Sequence, residues 1–413
     1  MKILHFSDVH IGVENYGVVD PETGLSTRLQ DFLDTYDEVV NHALENQVDL
    51  VLFSGDAYKS RDPSQTHQRE FAKRIATLTN AGIPVFLLIG NHDLPSIASR
   101  ATALDIFPTL NVPGTYVSER LTTTVVDTKD GPLQVVSLPW IRRSAFLARE
   151  ETHNLTLEQI NQQLQDRLTT MLQQQIDALD QSIPAVLTAH VSLNTAVLSS
   201  EQTMMLGHDH VLLQSNLANP AFDYVALGHI HKHQILWQAP LMAYSGSLQR
   251  IDFGEEKDPK GFCIIDIDPT KPRGGRVTDF QFIPVDARRF VTINVSVEEN
   301  VLDPTTDVIQ AIQRHNFHDA IVRLIIRLPE ELETRISDTA IRQALKGAHY
   351  IAAIQRDVIR QRRPRLAAEA IETMTPTDVL KRYMEEQEVP EDRQATLLRL
   401  GQQLIQEAAD RDS

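Results

Sequence analysis

Five short polar motifs punctuate this chain: Asp8-Val9-His10, Gly55-Asp56, Gly90-Asn91-His92-Asp93, a lone His190, and Gly228-His229-Ile230-His231. Their donors are carboxylate and amide oxygens and imidazole nitrogens. No thiolate is among them, because Cys263 is the only cysteine and lies elsewhere. Such a set suits Mn2+ and similar divalent ions better than a closed structural zinc site. Taken singly, an Asp-x-His pair or a Gly-Asp dipeptide is as readily a helix cap or a turn. Placement raises the five above that level, since each follows a short apolar, β-branched run.

Those runs, at residues 3–6, 50–53, 85–89, 135–138, 185–188 and 224–227, have the length and composition of buried strands. Between the first two, Leu29, Phe32, Leu33, Tyr36, Val39, Val40, Ala43 and Leu44 keep i, i+3, i+4 spacing, which puts one apolar helix face against a sheet. A second long helix fits Leu157, Ile160, Leu164, Leu168, Met171, Leu172 and Ile176. This alternation is an α/β rhythm, expected over residues 1–284. In open α/β sheets ligands bind in the crevice beyond the carboxyl ends of the strands, so the five motifs should converge there.

After Pro284 the pattern changes to a strand at 291–295, a helix at 308–314, a strand at 320–326, a helix at 339–345 and a strand near Ile351. Residues 285–364 therefore read as a small α+β domain. Residues 365–413 read as a linker and two amphipathic helices, about 376–388 and 391–408, separated by Pro390. Val379, Leu380, Tyr383 and Met384 form one apolar face, and Leu397, Leu398, Leu400, Leu404 and Ile405 the other. Two short helices bury such faces poorly against each other, so they call for a further surface.

With 413 residues the chain is long enough for two domains and an appendage. One cysteine excludes an intramolecular disulfide, and no apolar run approaches the ~20 residues that cross a bilayer. The first residues enter a motif directly, and a cytoplasmic location is the expectation. The formal charge of −17 argues against nucleic acid, because phosphates are normally held by Lys and Arg. Two features weaken that objection: bound metals bring positive charge of their own, and residues 356–365 carry five arginines. That stretch reads either as a solvated helix end or as a stripe facing phosphate or a partner.

In their order along the chain, the five strand-end motifs resemble those of the calcineurin-like metallophosphoesterases. More narrowly, the chain resembles the SbcD family of DNA double-strand-break nucleases over essentially its whole length. The resemblance rests on SDVHIG (7–12), SGDAYKSRDPS (54–64), LIGNHD (88–93), YVALGHIHKHQ (224–234) and SGSLQRIDFGEEKDPKGF (245–262). It implies a metallophosphoesterase β-sandwich flanked by helices, a small α+β capping domain and a C-terminal helix pair. It also implies two Mn2+ ions, with Mg2+ or another divalent ion as the alternative. One ion would be held by Asp8, His10, Asp56 and His231, the other by Asp56, Asn91, His190 and His229, with Asp56 as the bridge. His92 would stabilise the transition state and help to protonate the leaving oxygen, with Asp93 either orienting it or closing a turn.

One position departs from the family. Many relatives carry a histidine three residues after the bridging aspartate, where this chain has Lys59, which suits a phosphate contact but accepts no proton while charged. A second Gly-His-x-His, Gly207-His208-Asp209-His210, has no apolar strand running into it and reads as surface structure. His5, His42, His67 and His233 read as structural histidines.

The activity implied is single-strand endonuclease and 3′ to 5′ duplex exonuclease, in double-strand-break or hairpin processing. The implied partners are DNA and the coiled-coil ATPase SbcC, which would dock on the C-terminal helices of a homodimer within a heterotetramer. Leu94, Ile97, Leu104, Ile106 and Phe107 offer apolar surface for that dimer, or are simply core. The competing readings are a phosphoesterase for small phosphodiesters or phosphoproteins, and a non-catalytic DNA-end tether. Against the tether, a crevice of unpaired charges is costly without metal.

Overall fold

The computed structural model describes residues 1–95, 97, 100–142, 155–198, 211–360, 375–386 and 389–409. In chain order the first half runs β1 (Lys2–Phe6), α1 (Thr27–Glu45), β2 (Leu50–Phe53), α2 (Gln65–Asn80), β3 (Val85–Leu88), β4 (Thr115–Ser118), β5 (Thr122–Thr128), β6 (Gly131–Leu138), α3 (Leu157–Asp177) and β7 (Ala185–His190). It continues through a two-residue pair, β8 (Ser192–Leu193) and β9 (Val211–Leu212), to β10 (Tyr224–Gly228), β11 (Gln234–Gln238), β12 (Leu241–Tyr244), β13 (Gly261–Ile267) and β14 (Val277–Pro284).

These strands build two six-stranded sheets, ordered β14-β13-β1-β2-β3-β4 and β11-β12-β10-β7-β6-β5. In each sheet the strands that end at the motifs are parallel, and antiparallel strands lie outside them. The parallel strands are buried on both faces, which is why they read as unbroken apolar runs without alternation. Within β1 the two faces still separate. Leu4 and Phe6 join the layer beneath α1 and α2, while Ile3 packs into the layer between the sheets with Leu52, Phe86, Val135, Val186 and Ala226. On the far side α3 covers the second sheet with Leu164, Leu168, Leu172 and Ile176. The order of layers is therefore helix, sheet, sheet, helix. Two caps anchor it: Ser64 accepts the His67 N–H at the start of α2, and Thr156 forms a capping box with Gln159 at the start of α3.

The third sheet is β15 (Phe290–Ser296), β16 (Ile321–Pro329) and β17 (Tyr350–Ile359), with α4 (Pro304–Gln313) and α5 (Asp338–Ala344) between them. Its strands run parallel in sequence order around a core of Ile293, Val308, Ile312, Leu324, Ile326 and Ile341. It is tied to the larger unit by Arg288 on Asp31 at 2.6 Å and by Glu256, which accepts from the Thr292 N–H at 2.9 Å and its hydroxyl at 2.6 Å.

Three expectations are revised. Arg356 lies on β17 and not on a helix end, and it pairs with Asp338 at 2.7 Å; residues 361–365 of that basic stretch lie outside the described residues. Leu104 and Phe107 are buried in the layer under the first sheet's helices, so only Ile97 and Ile106 of the apolar set are strongly exposed. The strands at 115–118, 122–128, 234–238, 241–244, 261–267 and 277–284 were not among those expected. At the C-terminus α6 (Pro376–Glu386) and α7 (Glu391–Ala409) form where expected and contact each other. Met384 is buried between them, while Tyr383, Leu397, Leu400 and Leu404 remain 40–65% exposed.

Candidate metal centre

Every strand-end motif arrives at one crevice. Asp8 and His10 follow β1, Asp56 follows β2, and the Asn91-His92-Asp93 loop follows β3. His190 ends β7, while His229 and His231 follow β10. Because β1, β2 and β3 lie side by side in one sheet and β7 and β10 in the other, the seven ligand candidates meet across the sandwich. The turns that aim them are strained. Asp8, His10, Asp56 and His229 have φ of 54°, 49°, 62° and 96°, a left-handed region that costs non-glycine residues energy and is held where function needs it. Gly55, at φ 100°, has no room for a side chain, since a Cβ there would collide with the His190 imidazole.

Asp56 sits at the centre. Its Oδ2 lies 3.7 Å from His10 Nε2 on one side and 3.3 Å from His190 Nε2 on the other. His10 Nε2 is 3.0 Å from His231 Nε2 and 3.9 Å from Asp8 Oδ1. The Asn91 side-chain oxygen lies 3.0 Å from both His190 Nε2 and His229 Nδ1. Three groups follow, Asp8 with His10 and His231, Asp56 with His190 and His229, and His10 with Asp56 and His92, each with its candidate ligand atoms within 4.8 Å of one another.

The donor chemistry fits cations. His190 Nδ1 donates to the Ser54 carbonyl at 2.7 Å, so in the neutral ring Nε2 presents a lone pair to the Asn91 oxygen and the Asp56 carboxylate. His231 Nδ1 donates to Glu255 at 2.8 Å, so its Nε2 turns a lone pair toward His10. Lone pairs converging on lone pairs repel unless positive charge lies among them. Protonation expresses the same demand. Burial opposes charge on His190, yet the carboxylates of Asp56 and Asp8 lift its pKa to about 9. Burial likewise opposes ionisation of Asp56, but His190 and His92 hold it well below the usual carboxylate range.

His92 stands beside the ligand candidates, its ring 5.0 Å from that of His10. Its Nδ1 donates to the Lys59 carbonyl at 2.8 Å, which leaves Nε2 as the working nitrogen. Burial lowers its pKa, Asp56 raises it and Lys59 lowers it again, with a net shift downward. Lys59 is thus close enough to act on His92 through both its backbone and its charge. Asp93 does not hold His92. Its carboxylate accepts the N–H groups of Gly90, Asp56 and Ala57, each at 2.9 Å, and so clamps two motif loops together. Burial, and then the charge of Asp56, push its pKa up to about 7.

A family model described as calcineurin-like phosphoesterase matches residues 1–233. This chain belongs to that family. Among similar proteins, the DNA double-strand break repair protein Mre11 of Aeropyrum pernix is 24% identical over 424 residues, spanning 100% of this chain and 93% of its own length. The SbcD subunit of the nuclease SbcCD of Escherichia coli K12 is 28% identical over 263 residues, 62% of each chain. The SbcD subunit of Staphylococcus saprophyticus is 24% identical over 319 residues, 77% of each chain. As a calcineurin-like phosphoesterase the chain is a metal-using hydrolase of phosphate esters, and its His and Asp groups are spaced to hold the metal.

Three further residues shape the site of this phosphoesterase and were not singled out by their sequence. Glu255 and Lys260 form a buried pair at 2.7 Å behind His231. Trp140 packs its ring 4.8 Å from that of His229. Glu255 and Lys260 lie within the 245–262 stretch that carries the narrower resemblance, but nothing in their spacing announces a contact with His231. Trp140 does carry a signal, since it follows a strand end by two residues as the motifs do. Four other described histidines behave structurally. His5 binds Tyr224, His42 packs on Phe262, His67 meets Glu14 and His233 stacks on Phe282. His208 and His210 lie outside the described residues. Among the described residues, no helix is long and apolar enough to cross a membrane.

Proposed function

We propose that this phosphoesterase is a DNA nuclease that cuts phosphodiester bonds with two divalent ions. The observation that carries the reading is the Asp56 carboxylate lying between two sets of ligand candidates, with His92 alongside. Asp8, His10, Asp56 and His231 would hold one ion, and Asp56, Asn91, His190 and His229 the other. When bound, such a pair clamps the attacking and leaving oxygens of an in-line displacement and lowers the pKa of water.

The protein's own groups then have distinct tasks. Asp56 spaces the two halves of the site. Glu255 fixes the His231 ring, and Ser54 fixes the His190 ring. Burial holds the pKa of His92 below its ordinary value, and the negative charge of an arriving phosphodiester would raise it. His92 can then place a proton from Nε2 on the departing oxygen. Lys59 adds positive charge beside that phosphate in place of a second histidine.

Relatives named Mre11 and SbcCD nuclease support DNA as the substrate. The reading extends to Mn2+ as the preferred metal, single-strand endonuclease and 3′ to 5′ duplex exonuclease activity, and action at double-strand breaks or hairpins. It also includes a homodimer working with a coiled-coil ATPase of the SbcC type in the cytoplasm, with residues 285–364 as a DNA-facing cap. The decisive assay compares single-stranded DNA, duplex DNA and bis(p-nitrophenyl) phosphate, each with Mn2+, Mg2+ or chelator. Metal-dependent DNA cleavage is expected. Turnover of the small diester without DNA cleavage would identify a small-molecule phosphodiesterase, and turnover of neither would leave a tether.

A further inference from the structure

Beside the metal centre lies a cavity of about 450 Å³. Its lining includes Arg100, Arg120, Arg142, Trp140, Glu119 and Met171. Trp140 belongs to both places, because it lines this cavity and its ring packs against His229 at 4.8 Å and His190 at 6.2 Å. Its backbone N–H donates to the Ile89 carbonyl at 3.1 Å, which ties the main chain at Trp140 to the first sheet's strand end.

The charge of the cavity is unusual for this molecule. A chain with a net charge of −17 places three guanidinium groups here against one carboxylate. Glu119 approaches Arg120 at 3.4 Å, but both side chains are more than half exposed, so that pair neutralises little. Arg142 is anchored through a hydrogen bond to the Pro95 carbonyl, and Arg100 forms no ion pair among the described residues. Burial and the neighbouring positive charge of Arg61 both lower the pKa of Arg142. An aromatic face beside arginines, one ring away from a phosphodiester-cutting centre, has the chemistry of a nucleotide site. Guanidinium forks match phosphate oxygens, and stacking on indole accepts any base. A base inside a duplex has no free face to offer, so the strand must be single.

We propose that this cavity is a subsite for a nucleotide flanking the scissile phosphate of single-stranded DNA, with its base on Trp140 and its phosphate among Arg100, Arg120 and Arg142. The proposal rests on the nuclease reading above and deepens it. It assigns to Trp140 and the arginines a part in substrate length preference, because a small diester reaches the metal centre without filling the cavity.

The test uses the full chain with Mn2+, a single-stranded oligonucleotide and bis(p-nitrophenyl) phosphate. The exposed pair Arg100→Glu with Arg120→Glu should raise KM for the oligonucleotide about tenfold or more while kcat changes by less than about threefold. The salt dependence of binding should become shallower by roughly one unit for each phosphate no longer held. Trp140→Ala should raise the same KM and Trp140→Phe should restore most of it. A readout independent of turnover comes from fluorescence: in a Trp237→Phe variant Trp140 is the sole tryptophan, and the oligonucleotide should quench it. An unchanged oligonucleotide KM in the arginine variant, or absence of quenching, overturns the subsite. Equal losses on both substrates in the arginine variant also overturn it, since Arg100 and Arg120 would then support the metal centre and not the strand. If the wild-type chain turns over the diester but cuts no DNA, the nuclease reading fails first and the subsite falls with it.

Discussion

His231 donates from Nδ1 to Glu255 at 2.8 Å, and the other oxygen of Glu255 meets the Lys260 ammonium at 2.7 Å, with both members of that ion pair wholly buried. Burial resists charge on Glu255, but Lys260 and His231 hold its pKa well below the usual carboxylate range. Lys260 is itself anchored on the Ser247 hydroxyl at 2.8 Å and the His231 carbonyl at 3.1 Å. This run of hydrogen bonds fixes which nitrogen His231 presents to the crevice.

Glu255→Gln is therefore expected to weaken metal binding by roughly 10- to 100-fold, the scale seen for partners behind a ligating histidine. Lys260→Met should instead act on stability, by about 3–5 kcal/mol, because it leaves a buried carboxylate without its cation. Metal titration by calorimetry reads the first effect and urea unfolding the second. Unaltered metal affinity in Glu255→Gln would show that His231 does not depend on this support.

Replacing His92 with Asn separates chemistry from metal holding. Its ring lies beside His10, and its Nδ1 is already committed to the Lys59 carbonyl. Two bound metals per chain should remain while cleavage falls by roughly 10²- to 10⁴-fold, the range for a lost proton donor. Metal content by elemental analysis, beside single-turnover cleavage, decides it. Loss of metal together with activity would make His92 a ligand.

The convergence of the seven ligand candidates was legible because each stands at the end of a β-branched strand, and the crevice beyond parallel strand ends is a topological consequence. The helix faces of α1 and α3 were legible for the same kind of reason, in their 3.6-residue period. The antiparallel strands were harder to see. β11 and β14 are half exposed, so neither carries a continuous apolar run. The role of Asp93 was also hidden. Two of its three acceptor contacts reach a loop 36 and 37 residues earlier, and sequence spacing says nothing of such a clamp. The burial of Leu104 and Phe107 was hidden differently, since a run such as Leu104 to Phe107 has the same composition whether it faces core or solvent.

His5 ties acid stability to the layer between the sheets. It is fully buried, hydrogen-bonded to the Tyr224 hydroxyl at 2.8 Å, and its pKa is lowered to about 3, first by burial and then by His233. The unfolded chain binds this proton near the ordinary value of 6.5, so the contribution of His5 is complete above that pH. It is lost progressively as pH falls from 6.5 toward 3, at about 1.4 kcal/mol per pH unit while only the unfolded form is protonated. His5→Phe should flatten the decline of urea-unfolding free energy between pH 6 and pH 4 by about one proton. An unchanged slope would mean that the His5 ring is protonated in the folded state.

The C-terminal helices pose the question of what covers them. Thr375 caps α6 through its hydroxyl, which accepts the Asp378 N–H at 3.3 Å, and Pro390 precedes α7. The two helices bury Met384 together, yet Tyr383, Leu397, Leu400 and Leu404 stay 40–65% exposed, so their mutual packing leaves apolar surface over. A helix as short as α6 is marginal in water without a further surface, and an exposed apolar set at helical spacing is the usual anchor for a partner's groove. The coiled-coil ATPase of the SbcC type included in the proposed function is the partner to test against this surface. Removing residues 375–413 should abolish binding to such an ATPase and ATP-stimulated duplex processing. Metal-dependent cutting of single-stranded DNA should survive within about twofold, because no strand-end motif is touched. A milder variant, Leu397→Glu with Leu404→Glu, keeps the chain length and should give the same loss of binding while circular dichroism keeps its helical signal. Pull-down and nuclease assays on both variants read the result. Full binding by the truncated chain would place the docking surface elsewhere and leave α6 and α7 as a cap on their own protein.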